Sequence, residues 1–86
     1  MIHKLKISED FANAVLSGDK TFEVRENDRG FQKGDVVIFQ VVERGACRVE
    51  YFNHPLNGVE CEITYVLSGW GIEQGKVVFG IRRIEQ

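Results

Sequence analysis

Proline is nearly missing from this chain: Pro55 is the only one in 86 residues, against nine glycines. Turns are therefore left to glycine, and the segments between are free to form regular structure. No apolar run approaches the roughly 20 residues that a membrane-spanning helix needs. The opening stretch Met1-Ile2-His3-Lys4-Leu5-Lys6-Ile7 carries charge where a secretory leader has its apolar region, so a cytoplasmic, membrane-free protein is expected. Two cysteines, Cys47 and Cys61, and two histidines, His3 and His54, lack any metal-ligand spacing, so neither metal nor cofactor is expected. Positive charge is not in excess either, since 11 Lys and Arg face 13 Asp and Glu for a net charge of −2. A tight non-specific binder of nucleic acid would need those cations gathered on one face. Also missing are a Ser-His-Asp or Cys-His arrangement, a phosphate-cradling glycine loop and a paired-carboxylate site.

What is present is an ordinary globular composition, 43% hydrophobic and 28% charged, in a length that suits a single domain over 1–86. Ile2 to Ile7 alternates, with His3, Leu5 and Ile7 on one side and Lys4 and Lys6 on the other, which predicts a half-buried strand. On that apolar side His3 reads as a hydrogen-bonded core residue. Ser8 suits an N-cap, Glu9 and Asp10 suit a first helical turn, and Gly18 suits the stop. Segment 8–18 is thus a short amphipathic helix presenting Phe11, Ala12, Val15 and Leu16. Further strands are predicted at 21–26, 35–42, 47–52, 60–67 and 76–84, with turns at Asn27-Asp28-Arg29-Gly30, Lys33-Gly34-Asp35 and Glu43-Arg44-Gly45-Ala46. In the fifth of the six strands Cys61, Ile63, Tyr65 and Leu67 are placed on one face. In the last, Val77, Phe79 and Ile81 share a face. Five or six short strands and one early helix imply a mostly β (α+β) fold, a small twisted sheet closed into a barrel.

The most informative stretch is Ser17-Gly18-Asp19-Lys20-Thr21-Phe22-Glu23-Val24-Arg25. It leaves a helix through glycine and enters a strand with Thr21, Glu23 and Arg25 on one face and Phe22 and Val24 on the other. Glu23 and Arg25 lie about 7 Å apart by strand rise, close enough to pair or to share a ligand. From residue types alone, a solvated polar face is the commoner outcome; a ligand-facing site is the sharper one. A guanidinium, an ammonium, a carboxylate and a hydroxyl in one cleft can read a nucleobase edge and hold phosphate. Arg29 extends the basic rim, and Trp70, between Gly69 and Gly71, offers a stacking platform.

These residues resemble the DUF3850 family, which is placed in the ASCH group of PUA-like domains. The resemblance rests on His3-Lys4-Leu5-Lys6-Ile7, the Gly18-x-Lys20-x-x-Glu23-x-Arg25 pattern with Asn27-Asp28-Arg29 behind it, Lys33-Gly34-Asp35, Ile63-Thr64-Tyr65-Val66-Leu67 and Gly75-Lys76-Val77-Val78. It runs from His3 to about Ile84 and is weakest over 43–59. It implies a PUA-like β-barrel with a cleft beside the helix, lined by Lys20, Glu23 and Arg25 with Thr21 and Arg29 nearby, and a single-stranded RNA or nucleotide-like ligand. One enzymatic branch of the ASCH group hydrolyses N4-acetylcytidine with the motif lysine and a threonine three residues on. Here Lys20 matches, but Glu23 holds the threonine's place and Thr21 lies two residues earlier.

Three functions follow as expectations. The first is a non-catalytic RNA- or nucleotide-binding module using Lys20, Thr21, Glu23, Arg25, Arg29 and Trp70. The second is a hydrolase acting on nucleosides or RNA, an amidohydrolase or a ribonuclease, with Lys20 and Glu23 as its catalytic candidates. The third is a protein-interaction module built on an exposed strand or the Trp70 loop.

Overall fold

The structure, a computed structural model, describes residues 1–44 and 47–84. Six strands and one helix follow in the order β1 (Ile2–Ser8), α1 (Glu9–Ser17), β2 (Phe22–Glu26), β3 (Val36–Arg44), β4 (Val49–Tyr51), β5 (Glu60–Leu67) and β6 (Lys76–Arg83). β1 buries every second residue, so His3, Leu5 and Ile7 face inward while Lys4 and Lys6 face out. Ser8 then turns in extended geometry, Glu9 and Asp10 occupy the first turn of α1, and Gly18 ends it at φ 88°. That left-handed conformation is one glycine adopts without a Cβ penalty. Ala12 and Val15 drop into the core, packing α1 against β1 and β3.

The sheet runs β1-β3-β5-β6-β2, with β4 added to the far end of β3. The β1–β3 pair is parallel and the others are antiparallel. This is the expected mostly-β, barrel-type domain, a sheet curled into a half-barrel with one helix. Its core is a single cluster including Leu5, Phe31, Val37, Phe39, Leu56, Ile63, Val77 and Phe79. β5 pairs only the start of β3 and β4 only its end. The stretch between them is served by a loop, where Asn57 Oδ1 accepts from Val41 N–H at 2.8 Å and Gly58 N–H donates to Phe39 O at 3.1 Å. Fully buried Leu56 anchors that loop.

β1 and β2 end the sheet, and among the described residues no ladder joins them. Instead two guanidiniums span the seam. Arg25 donates to Lys6 O at 2.8 Å and Arg29 to Lys4 O at 3.1 Å, both carbonyls on the free edge of β1. Backbone groups of an edge strand otherwise stand ready to pair with another chain.

Three expectations are corrected. Glu43 and Arg44 continue β3, because β4 pairs with Val42, Glu43 and Arg44; the other residues of that expected turn, Gly45 and Ala46, lie outside the described residues. In β2 the faces are not those of an apolar-in strand: Glu23 is 3% exposed while Phe22 and Val24 are 45% and 51% exposed. In β5 the register slips between Ile63 and Tyr65. A bulge inserts one residue and swaps the faces beyond it, so Tyr65 turns outward and Val66 packs on the core.

The bulge fixes its partner strand. A Cβ on Gly80 would lie 2.5 Å from Thr64 Oγ1. We expect Gly80→Ala to lower stability by about 1–2 kcal/mol, the cost of a forced side-chain shift. Thr64→Ala in the same chain should return most of that loss, as read from urea midpoints; additive effects would show that the contact is not the cause.

Candidate functional site

The site grows out of the exit from α1. Lys20 N–H donates to Ala14 O at 3.0 Å, which folds the chain back against the helix end and sets the start of β2. Two residues of the same strand face, Glu23 and Arg25, follow with the spacing of a pleat. Glu23 accepts at both carboxylate oxygens: Oε1 from Lys20 Nζ, and Oε2 from Arg25 Nε at 2.8 Å. The ion pairs are largely withdrawn from water, with side-chain exposures of 4% for Glu23, 14% for Lys20 and 24% for Arg25. A carboxylate this buried is tolerable only because two cations neutralise it and donate to each of its oxygens. Lys20 Nζ also donates to Phe22 O at 2.8 Å, and Arg25 reaches across to β1.

Above this group opens a cleft of about 750 Å³, between the free edge of β2 on one side and β1 with the first turn of α1 on the other. Its walls carry the aromatic rings of Phe11 and Phe22, both substantially exposed. The Lys20 ammonium lies 5.0 Å from the Phe11 ring centre and 5.4 Å from that of Phe22, within cation–π range of each. Lys6 adds a third cation, while Glu9, Asp10 and Glu43 make the remaining rim acidic. The floor is thus cationic by one charge, two cations against Glu23, and the surround is mixed.

Lys20, Glu23 and Arg25 are brought together; the other sequence candidates are not. Thr21 lies in a neighbouring cleft, its carbonyl bonded to Ile81 N–H. Arg29 sits further along the seam, on Lys4 O and 3.9 Å from Asp28. Trp70 is 91% exposed in a loop that does not line the cleft, with its backbone at φ 54°, a strained value for a tryptophan. His3 is a buried core residue on Asp35, and Cys47 and Cys61 are both free thiols. No group of three His, Cys, Asp or Glu side chains placed to hold a metal occurs among the described residues, and no helix there is long and apolar enough to cross a membrane.

Sequence reasoning missed Phe11 and Phe22 as site residues. Periodicity places Phe11 on the apolar face of α1 and Phe22 opposite the charged face of β2, and nothing local marks either ring as a cleft wall.

Two comparisons bear on kinship. The family model described as domain of unknown function DUF3850 matches residues 2–81. No curated protein matches the sequence.

Proposed function

This chain belongs to the DUF3850 family, and we propose that it is a non-catalytic module that binds single-stranded RNA or a nucleotide-like ligand. We read its half-barrel and flanking cleft as an ASCH domain of the PUA-like type, on the Gly18-x-Lys20-x-x-Glu23-x-Arg25 motif. The observation that carries the functional reading is the pairing of two exposed rings, Phe11 and Phe22, with the Lys20 ammonium between them over a neutralised Glu23. Exposed rings beside a cation are what an unstacked base needs, one face to stack on and a donor for its edge. Lys20 has one N–H left after Phe22 O and Glu23, and Arg25 keeps N–H groups beyond those used on Glu23 and Lys6 O. The cleft volume of about 750 Å³ suits a small ligand.

Catalysis is the weaker reading for a geometric reason. Glu23 is occupied at both oxygens and closed to solvent, so it is not poised to take or give a proton. Thr21, the hydroxyl nearest in sequence, lines a different cleft.

An NMR titration with nucleosides, N4-acetylcytidine and short RNAs at low salt tests this. Shifts are expected around Lys20, Phe11 and Phe22, with no deacetylated product. Phe11→Ala and Phe22→Ala should each weaken binding about tenfold or more, the usual worth of a base–aromatic stack. Product from N4-acetylcytidine would replace this reading with the hydrolase one, and silence across the panel would overturn both.

A further inference from the structure

We propose that the bound ligand carries its phosphate into the second cleft, so that the module takes a phosphorylated nucleotide strand rather than a free nucleoside. This rests on the base-binding reading of the first cleft and adds to it where the phosphate goes.

The second cleft, about 450 Å³, adjoins the first at Lys20, which lines both. The two differ sharply in charge. The first is lined by three cations, Lys6, Lys20 and Arg25, and four carboxylates, Glu9, Asp10, Glu23 and Glu43. The second is lined by Lys20, Thr21, Arg82 and Arg83, and by no carboxylate among the described residues. An anion entering at Lys20 is therefore repelled on one side and attracted on the other. Arg82 is committed to Glu62, and Lys20 to Glu23. Arg83 has no ion-pair partner among the described residues, and its planar fork of donors matches a phosphate bidentately. The C-terminal end of α1 borders this side through Val15 and Gly18, and two of its carbonyls are used within the chain, Val15 O by Gly18 N–H and Ala14 O by Lys20 N–H. Arg83, with Thr21 and Lys20 on the same carboxylate-free lining beside an aromatic cleft, offers a phosphate subsite next to a base subsite. Lys20 is the hinge between them.

The test uses the full chain and fluorescein-labelled rU4, rC4 and rA4, with uridine, cytidine and adenosine as the phosphate-free controls. Wild type should bind at least one tetramer, with affinity falling as salt rises. Arg83→Ala should weaken that tetramer about tenfold and reduce the slope of log K against log salt by about 0.7. The matching nucleoside, held in the first cleft, should bind wild type and Arg83→Ala equally. Arg83→Glu should weaken the tetramer further. If the tetramer still binds around Phe11 and Phe22 but Arg83→Ala changes neither affinity nor slope, the phosphate subsite is refuted and the base site stands. If neither tetramer nor nucleoside binds wild type, the first cleft is not a base site and both readings fall together.

Discussion

A Lys20→Met, Arg25→Met double variant should lose about 3–5 kcal/mol of stability, because it leaves the buried Glu23 carboxylate without a cation. The two single variants should each cost far less, since in either one Glu23 keeps one of its partners, Lys20 on Oε1 or Arg25 on Oε2. The double loss should therefore exceed the sum, the signature of two groups acting on one shared partner. Adding Glu23→Leu to the double variant should recover most of the loss, as replacing a buried ionic cluster with apolar groups usually does. Urea midpoints with unchanged m-values are the measurement. A domain of this size has roughly 4–13 kcal/mol to lose, so the double variant should be visibly marginal. Simple additivity, or no rescue by Glu23→Leu, would mean that the carboxylate is not truly enclosed. The rescued triple variant is also a functional control: folded, but stripped of the Lys20 and Arg25 donors, it should not bind RNA or nucleotide.

This ion cluster marks where the sequence was legible and where it was not. The Lys20-x-x-Glu23-x-Arg25 spacing declares that Glu23 and Arg25 share a face, because a pleat has period two. It does not declare which face is inside. Phe22 and Val24 alternate with the charges, and apolar-inward is the usual resolution. Here β2 is an end strand facing a seam rather than a packed layer, so the inward position goes to the residue with two ready-made partners. The strands of β1 and β6 were readable because one face of each is plainly apolar. The bulge in β5 was not, because it exists only in the register against β6, where Thr64 comes close to Gly80, a contact between strands that no local pattern carries. The same holds for the bridges of Arg25 and Arg29 to β1, which depend on how far the sheet curls. The first cleft was half legible: its charged floor stands in the motif, and its aromatic walls do not.

The second large effect lies at Asp35, immediately before β3. His3 Nε2 meets Asp35 Oδ2 at 2.8 Å, and Gln32 N–H donates to the same oxygen at 3.1 Å. The His3 ring is 3% exposed and leans on Phe31 at 4.7 Å, which in turn leans on Phe79 at 4.8 Å. Asp35→Ala therefore leaves the buried His3 ring nitrogen without its acceptor and frees the partly buried Gln32 N–H, and should cost about 2–3 kcal/mol at neutral pH. The His3 hydrogen bond first, and then that of Gln32, hold the Asp35 carboxyl below its ordinary value of 3.8, against the opposing effect of burial. The sign follows from linkage: a carboxyl lowered in the folded state contributes its stability above the unfolded value and loses it as pH falls through the folded one. The gap between wild type and Asp35→Ala should thus be fully present above about pH 4, near the unfolded carboxyl value, and shrink below it. Thermal melts of both proteins from pH 7 down to pH 2 read this directly. A gap that persists unchanged to the lowest pH would show that the carboxylate's charge is not what holds His3, and that the turn's backbone alone places it.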